Sequence, residues 1–403
     1  MLIEFKFRNL FSFKDEVKFL MTPVKSFKEL VKNNIIKTEK DFHLLKVAAI
    51  YGANGSGKSN FIKAFGIFNS VVYNSFRDSL NKERDKRNSY YHFKLDTTSD
   101  EENTMFEVSF LRGKYVYRYG YEIFGRTIRK EWLYRKLDRE ILLFKREYQA
   151  FEINQESFSE GLKYKSEVNE NVLLMSHLAQ YNQPVAKEVL GWFDKCAAID
   201  GIDENQYSAY TVELLKEDQN FKDWAATVLK YLEIANIEAG EEDGEVITYH
   251  RKYDENNMIV DAVPFKSSME SDGTRKLIHI LGPVYYTLRY GGVLFIDEFD
   301  CKLHPNLSKK LMSLFQKYNK KNAQFVFSAQ DTTLLSKKLF RRDQIWFANK
   351  DQFGVSSIYP MSDFSAQTVR NTSDFAKKYL DNTFGGADTL EITTKLTNLL
   401  YGE

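Results

Sequence analysis

The period of apolar and polar residues changes several times along this chain, and each change predicts an element. Leu2 to Phe7 alternates apolar with polar, and Lys46 to Tyr51 is a short apolar run ending at a glycine, so both predict strands. From Lys58 to about Ser79, Phe61, Ile62, Phe65, Phe68, Val71, Val72 and Phe76 recur at helical spacing. The charged stretch Asn81 to Asn88 closes this unit. Thr104 to Leu111 and Tyr115 to Ile123, joined by Arg112-Gly113-Lys114, predict a hairpin, with Phe106, Val108 and Phe110 on one face and Tyr115, Tyr117, Tyr119 and Tyr121 on another. Ile128 to Lys136 and Ile141 to Arg146 predict a second hairpin, and hence an antiparallel sheet layered beside the sheet that holds Lys46 to Tyr51.

Between about Glu167 and Ile237 the period turns helical, through Val172, Leu173, Met175 and Leu178, then Val189, Leu190 and Phe193, then Trp224, Val228, Leu229 and Leu232. This predicts an all-helical insertion. The acidic link Glu238 to Glu245 follows, and strands Val246 to Tyr253 and Met258 to Val263 lead into a second block. There a helix over Thr274 to Arg289, a strand over Val293 to Asp297, a helix over Leu307 to Lys317, and strands over Gln324 to Ser328 and Ile345 to Phe347 are expected. Strands alternating with helices argue an α/β fold with a mainly parallel sheet covered on both faces. The expected division is an N-terminal lobe over 1–150, the helical insertion over 151–245 and a C-terminal lobe over 246–403.

Composition narrows the function classes. A chain of 403 residues, 43% hydrophobic and 15% aromatic, can bury a large core and is no disordered tail. Lys plus Arg number 57 against 56 acids, so the net charge of +1 supplies no global field toward nucleic acid or membrane, and any polyanion contact must be local. Cys196 and Cys301 fit neither a disulfide framework nor a metal spacing, which favours a reduced compartment. No stretch approaches the ~20 apolar residues of a spanning helix, and the first residues lack an apolar leader core, so a cytoplasmic protein without membrane contact is expected.

The chemistry begins at Gly52-Ala53-Asn54-Gly55-Ser56-Gly57-Lys58-Ser59, which has the phosphate-loop pattern G-x-x-x-x-G-K-S and sits after an apolar strand at the opening of a helix. Glycines let consecutive N–H groups turn around phosphates, Lys58 reaches the terminal phosphates, and Ser59 can ligate magnesium. Gly52, Asn54, Gly55, Gly57, Lys58, Ser59 and Asn60 are therefore expected to hold ATP with Mg2+. Val293-Leu294-Phe295-Ile296-Asp297-Glu298 ends an apolar strand in two carboxylates: Asp297 would hold magnesium through water, and Glu298 would act as general base toward the attacking water.

Several further groups are ambiguous on residue chemistry alone. Glu270-Ser271-Asp272-Gly273-Thr274 opens a helix and could form an anion site, although an ordinary helix cap accounts for Ser271 and leaves Gly273 unexplained. Arg84, Lys86 and Arg87 could touch phosphates but read first as a solvated face, the tyrosine row reads first as sheet packing, and His92 as a structural histidine. Lys309, Lys310, Lys320 and Lys321 are expected on exposed faces around one helix.

The order of phosphate loop, Ser-x-Gly helix start, apolar strand ending Asp297-Glu298, and Asp300-Cys301-Lys302-Leu303-His304-Pro305 resembles ABC-type ATPases, specifically the SMC- and RecF-like group and the AAA-labelled ATPases of bacterial phage-defence and abortive-infection loci. Phe7-Arg8-Asn9-Leu10-Phe11-Ser12-Phe13 looks like that group's adenine-side loop, Glu270 to Thr274 like its signature motif and Asp300 to Pro305 like its D-loop. Arg341 to Phe347 and Met361 to Phe364 look like its C-terminal strand segment.

The resemblance implies an α/β P-loop NTPase with an ABC-ATPase-like head, and adds Asn9 and Ser12 on the adenine side. It implies a head-to-tail homodimer or higher oligomer in which Ser271 and Gly273 of one protomer meet the γ-phosphate bound by Lys58 of the other. Gln330 stands where that group usually places a histidine. It can donate and accept a hydrogen bond but carries no charge, which implies slow ATP hydrolysis. Tyr91 to Asp96 lies about where a loop from the γ-phosphate to the insertion is expected, without the expected glutamine. The implied function is an ATP-hydrolysing switch of antiphage defence that controls a separate effector, a nuclease or toxin. The alternative is a stand-alone DNA-binding ATPase of the RecF or SMC kind, which leaves nucleic acid open as a partner, and the plainest is a scaffold that binds nucleotide without hydrolysis.

Overall fold

Val47–Tyr51 is buried at every position, as a strand covered on both faces must be. It lies inside a six-stranded sheet ordered Cys196–Asp200, Val293–Asp297, Gln324–Ser328, Val47–Tyr51, Ile345–Lys350 and Ser356–Pro360. The first five run parallel and the last is antiparallel. The computed structural model describes residues 1–40, 42–79, 91–241, 245–365, 369, 373–387 and 393–401. The charged stretch Asn81 to Asn88, with Arg84, Lys86 and Arg87, lies outside the described residues.

A second sheet of seven antiparallel strands runs Ala150–Ile153, Glu140–Glu147, Thr127–Lys136, Tyr115–Phe124, Thr104–Arg112, Leu2–Arg8 and Val17–Leu20. Between the two sheets lies helix Lys58–Ser79, whose phenylalanines serve both. Phe65 stacks on Phe295 of the parallel sheet with ring centroids 3.9 Å apart, and Phe68 stacks on Phe106 of the antiparallel sheet at 5.5 Å. Tyr117, Tyr119 and Tyr121 are fully buried, so the tyrosine row is packing. The opposite face of the parallel sheet is covered by helices Asp272–Tyr290 and Pro305–Lys317 through Leu277, Leu281, Leu311 and Phe315.

The segment expected to be all helical is helix-rich but also supplies sheet. Helices Leu174–Gln180 and Pro184–Phe193 pack against the phosphate-loop helix side, with Leu174 starting on the buried carboxylate of Glu131, which accepts its N–H at 2.7 Å. Cys196–Asp200, however, is the edge strand of the parallel sheet, paired residue for residue with Val293–Asp297. Ile234–Ala239 is also a strand, joined to Val246–Tyr253 and Ile259–Lys266 in a third, three-stranded sheet. The outer strand of that sheet is blunted against further pairing: Pro264 has no N–H, and the N–H of Ala262 is taken by Asp261 Oδ1 at 2.8 Å. No helix among the described residues is long and apolar enough to cross a membrane.

Candidate functional site

The loop Gly52 to Ser59 joins the central strand to the sandwiched helix, and its glycines are there for identifiable reasons. A Cβ on Gly52 would lie 2.4 Å from the carbonyl oxygen of Ala348. Gly55 (φ +74°) and Gly57 (φ +111°) occupy backbone conformations that side chains resist, and a Cβ on Gly57 would also meet Ser356 Oγ at 2.6 Å. Glycines in such conformations allow successive N–H groups to turn toward one point at a helix N-terminus, the geometry that a phosphate chain needs. Lys58 is 6% exposed and its ammonium donates to the carbonyls of Gly52 (2.6 Å) and Ala53 (2.9 Å). Burial lowers its pKa, opposed by the charges of Asp297, Glu298 and Asp300, which puts the loop lysine and the acids in one electrostatic site.

Asp297, buried at the tip of its strand, accepts a 2.5 Å hydrogen bond from Ser328 Oγ on the next strand. The same hydroxyl accepts the N–H of Glu298 at 2.8 Å. Glu298 has left the strand with φ +46°, a conformation uncommon for a side-chain-bearing residue, and this hydrogen bond helps to hold it there. Its carboxyl pKa is raised by burial first and then by Asp297 and Asp200. A raised pKa suits a group that must take a proton from water.

Asp200 is a residue that sequence reading missed. It pairs in register with Asp297, and Ala198, two residues earlier, faces Gly66 of the phosphate-loop helix, so Asp200 belongs to the sheet face turned toward that helix. The following Gly201 donates to Asp297 O at 2.8 Å and could not carry a Cβ, which would lie 2.3 Å from that oxygen. The loop at the tip of this strand therefore runs beside Asp297 and Glu298. Tyr91 to Asp96, the stretch expected there, lies instead beside the N-terminal loop, where Phe11 N donates to Tyr91 O and the two rings sit 5.0 Å apart. His92 bonds Asp100 at 2.7 Å.

Ser271 caps helix Asp272–Tyr290, accepting the N–H of Thr274 at 3.2 Å, and remains exposed. Gly273 has its own cause: a Cβ would meet the carbonyl of Lys302 at 2.6 Å, so only glycine lets this helix start lie against Asp300 to Pro305. One turn on, Lys276 is fully buried and its ammonium donates to the carbonyls of Glu298 (2.8 Å) and Cys301 (2.7 Å). Burial pulls its pKa down to about 8. Asp300 in turn receives the backbone N–H groups of Gln330 (2.9 Å) and Asp331 (2.5 Å) on one carboxylate oxygen, fixing the exposed Gln330 just beyond the strand that carries Ser328.

The N-terminal loop divides. Ser12 Oγ accepts from Asn60 Nδ2 at 2.9 Å and from Ser356 Oγ at 2.8 Å, which ties that loop to the first turn of the phosphate-loop helix. Asn9, expected to touch nucleotide, is fully buried: its amide donates to the carbonyls of Ser99 and Glu102 at 2.9 Å each, and its oxygen accepts from Phe93 N at 3.0 Å. Its side chain shapes the loop and has no donor left over for a ligand.

Among the described residues no three His, Cys, Asp or Glu side chains converge on one point; magnesium on ATP needs only one or two protein oxygens beside phosphate and water, and Ser59 and Asp297 would supply them. A protein-family model described as "AAA domain, putative AbiEii toxin, Type IV TA system" matches residues 47–336, a span that holds every candidate nucleotide residue except Asn9 and Ser12. No curated protein matches the chain. Among solved structures it is similar to the SMC head domain from Thermotoga maritima, at 14% identity over 89% of this chain and 98% of that one, with a TM-score of 0.42. It is also similar to the Smc head domain with an extended coiled coil bound to the C-terminal domain of ScpA, derived from Pyrococcus furiosus, at 12% identity over 95% and 99%, with a TM-score of 0.37.

Proposed function

The chain belongs to the AAA-domain family whose model spans residues 47–336; starting from an ATPase of that type with an α/β P-loop fold, we propose that it is an ATP-driven switch of antiphage defence. In this reading two or more protomers close head to tail on ATP, each offering Ser271 and Gly273 to the nucleotide held by Lys58 of its neighbour. The segment 151–245 then relays the closed state to a separate effector, a nuclease or toxin. The N-terminal lobe 1–150 brings the phosphate loop, and the C-terminal lobe 246–403 the acids, the signature turn and the loop at Asp300.

The single observation that carries this reading is the pair of hydrogen bonds from Lys276 to the carbonyls of Glu298 and Cys301. They make the exposed signature turn and the hydrolytic acid parts of one hydrogen-bonded unit, so an event on the face bearing Ser271 alters where Glu298 stands. Within the protomer, Lys58 neutralises the terminal phosphates, Glu298 accepts the proton of the attacking water, and Gln330, held through Asp300, orients that water without adding positive charge. Magnesium held by Ser59 and, through water, by Asp297 would neutralise phosphate charge. Hydrolysis is then slow, and the bound state lasts long enough to signal.

The test is ATP turnover across a protein concentration series, with Lys58→Ala as the blank, and light scattering of Glu298→Gln with and without ATP. Turnover per protomer should rise with concentration, and the Glu298→Gln protein should double in mass, or more, with ATP. Monomer under both conditions would remove the sandwich from this reading.

A further inference from the structure

One face of the molecule departs from the even charge balance of the chain. From Leu303 to Arg342 there are seven lysines and two arginines against one acid, Asp331. The two arginines are committed, Arg341 to Asp343 and Arg342 to Glu29. Folding gathers several of the lysines around a groove of about 260 Å³ between helix Pro305–Lys317, the short helix Val31–Asn34 and residues 338–339. Lys309, Lys310, Lys317 and Lys338 line it together with Asn33 and Ser313, and no carboxylate does. None of the ion pairs among the described residues uses Lys309, Lys317 or Lys338.

The groove is built to keep its shape. Asn34 Nδ2 (2.9 Å) and Gln316 Nε2 (2.8 Å) both donate to the carbonyl of Leu339, so all three walls meet at one oxygen. Asn34 is held further by Gln344 Oε1 at 2.6 Å. Lys309, Ser313 and Lys317 follow one another at helical intervals of four on one face, which spreads the two ammonium groups over ~12 Å along the axis. Holding like charges on rigid walls costs free energy in the free protein, and a polyanion that spans several of them recovers it.

Its position separates it from the nucleotide. Helix Pro305–Lys317 starts near the tip of Val293–Asp297 and returns toward the start of Gln324–Ser328, while Gln344 immediately precedes Ile345–Lys350. The groove therefore lies toward the N-terminal ends of the parallel strands, and the phosphate loop at their C-terminal ends. We propose that this groove binds the phosphate backbone of a nucleic acid without regard to sequence. Lysines are point charges that take phosphates and read no base edges. A concave, rigid, polar-walled groove suits a strand better than a flat lipid surface.

The experiment is fluorescence anisotropy of a labelled 30-base-pair DNA duplex and a 30-nucleotide single strand, from ~50 to ~200 mM salt, with the wild type, Lys338→Gln and the triple variant Lys309→Gln/Lys317→Gln/Lys338→Gln. Four contacts predict a slope of log K against log salt of about −3.6 on duplex, shallower by about 1 in the single variant and by about 3 in the triple variant. The triple variant should keep its melting temperature and its affinity for a fluorescent ATP analogue, so failure of the groove and failure of the nucleotide site are read separately. Triple-variant binding equal to wild type, or no wild-type binding at ~50 mM salt, overturns the proposal. So does wild-type binding to phosphatidylserine-containing vesicles with none to either oligonucleotide.

Discussion

The ammonium of Lys276 lies 2.8 Å from the main-chain oxygen of Glu298, in a position with no solvent exposure at all. A lysine is an unusual choice for a buried site; here its ammonium gives the carbonyl of Cys301 a donor and joins the N–H of Cys301 in satisfying that of Glu298.

Lys276→Met should therefore leave ATP affinity within about threefold of wild type while lowering turnover ~10-fold or more and stability by ~1–3 kcal/mol. Radiolabelled ATP binding, steady-state turnover and urea unfolding measure the three; unaltered turnover would detach this lysine from the chemistry. Its pH signature is distinct. With a folded-state pKa near 8 against an ordinary 10.5, the cost of burying the ammonium is fully present below about pH 8 and is relieved as pH rises toward 10.5. Wild-type stability relative to Lys276→Met should accordingly improve between pH 7 and pH 9.5.

Ser328 serves both acids, so Ser328→Ala should raise the magnesium concentration for half-maximal turnover and lower turnover ~10-fold. Magnesium-free ATP binding should not change. Equal magnesium dependence in the two proteins would mean that Asp297 needs no partner to keep its orientation.

Asn9→Ala should destabilise the fold by ~2–4 kcal/mol, through three lost hydrogen bonds and an alanine at φ +52°, with ATP affinity unchanged. Calorimetry and a nucleotide titration decide between this and the adenine-side role that the sequence suggested. A selective loss of affinity would restore that role.

The phosphate-loop glycines should rank. At Gly55 a Cβ meets nothing within 4 Å, so Gly55→Ala carries only backbone strain, ~1 kcal/mol. Gly57→Ala adds the collision with Ser356 and should cost several-fold more, with nucleotide affinity falling in the same order. Equal losses would show that side-chain room around the loop is irrelevant.

Which parts of this were legible in sequence follows from how local their causes are. Val47–Tyr51, Val293–Asp297 and helix Lys58–Ser79 declare themselves through their own residues, and with them most of the candidate site. Cys196–Asp200 does not: Cys-Ala-Ala-Ile-Asp, set between helices, has no period of its own and becomes a strand because Val293–Asp297 offers it an edge. Helix capping leaves Gly273 unexplained because the carbonyl that requires it belongs to Lys302. Asn9 stands on the adenine side by resemblance alone, and nothing local corrects that because its partners Phe93, Ser99 and Glu102 lie far along the chain. The lysines of the groove read as ordinary helix surface, since nothing in Pro305–Lys317 announces that Lys338 stands opposite.

The order of strands in the parallel sheet has a consequence for biosynthesis. Val47–Tyr51 is made well before both of its neighbours, Gln324–Ser328 and Ile345–Lys350. Until those two are made, this apolar strand lacks both of its sheet partners. A product truncated before Ile345 would leave Val47–Tyr51, the strand that leads into the phosphate loop, without one of its two partners.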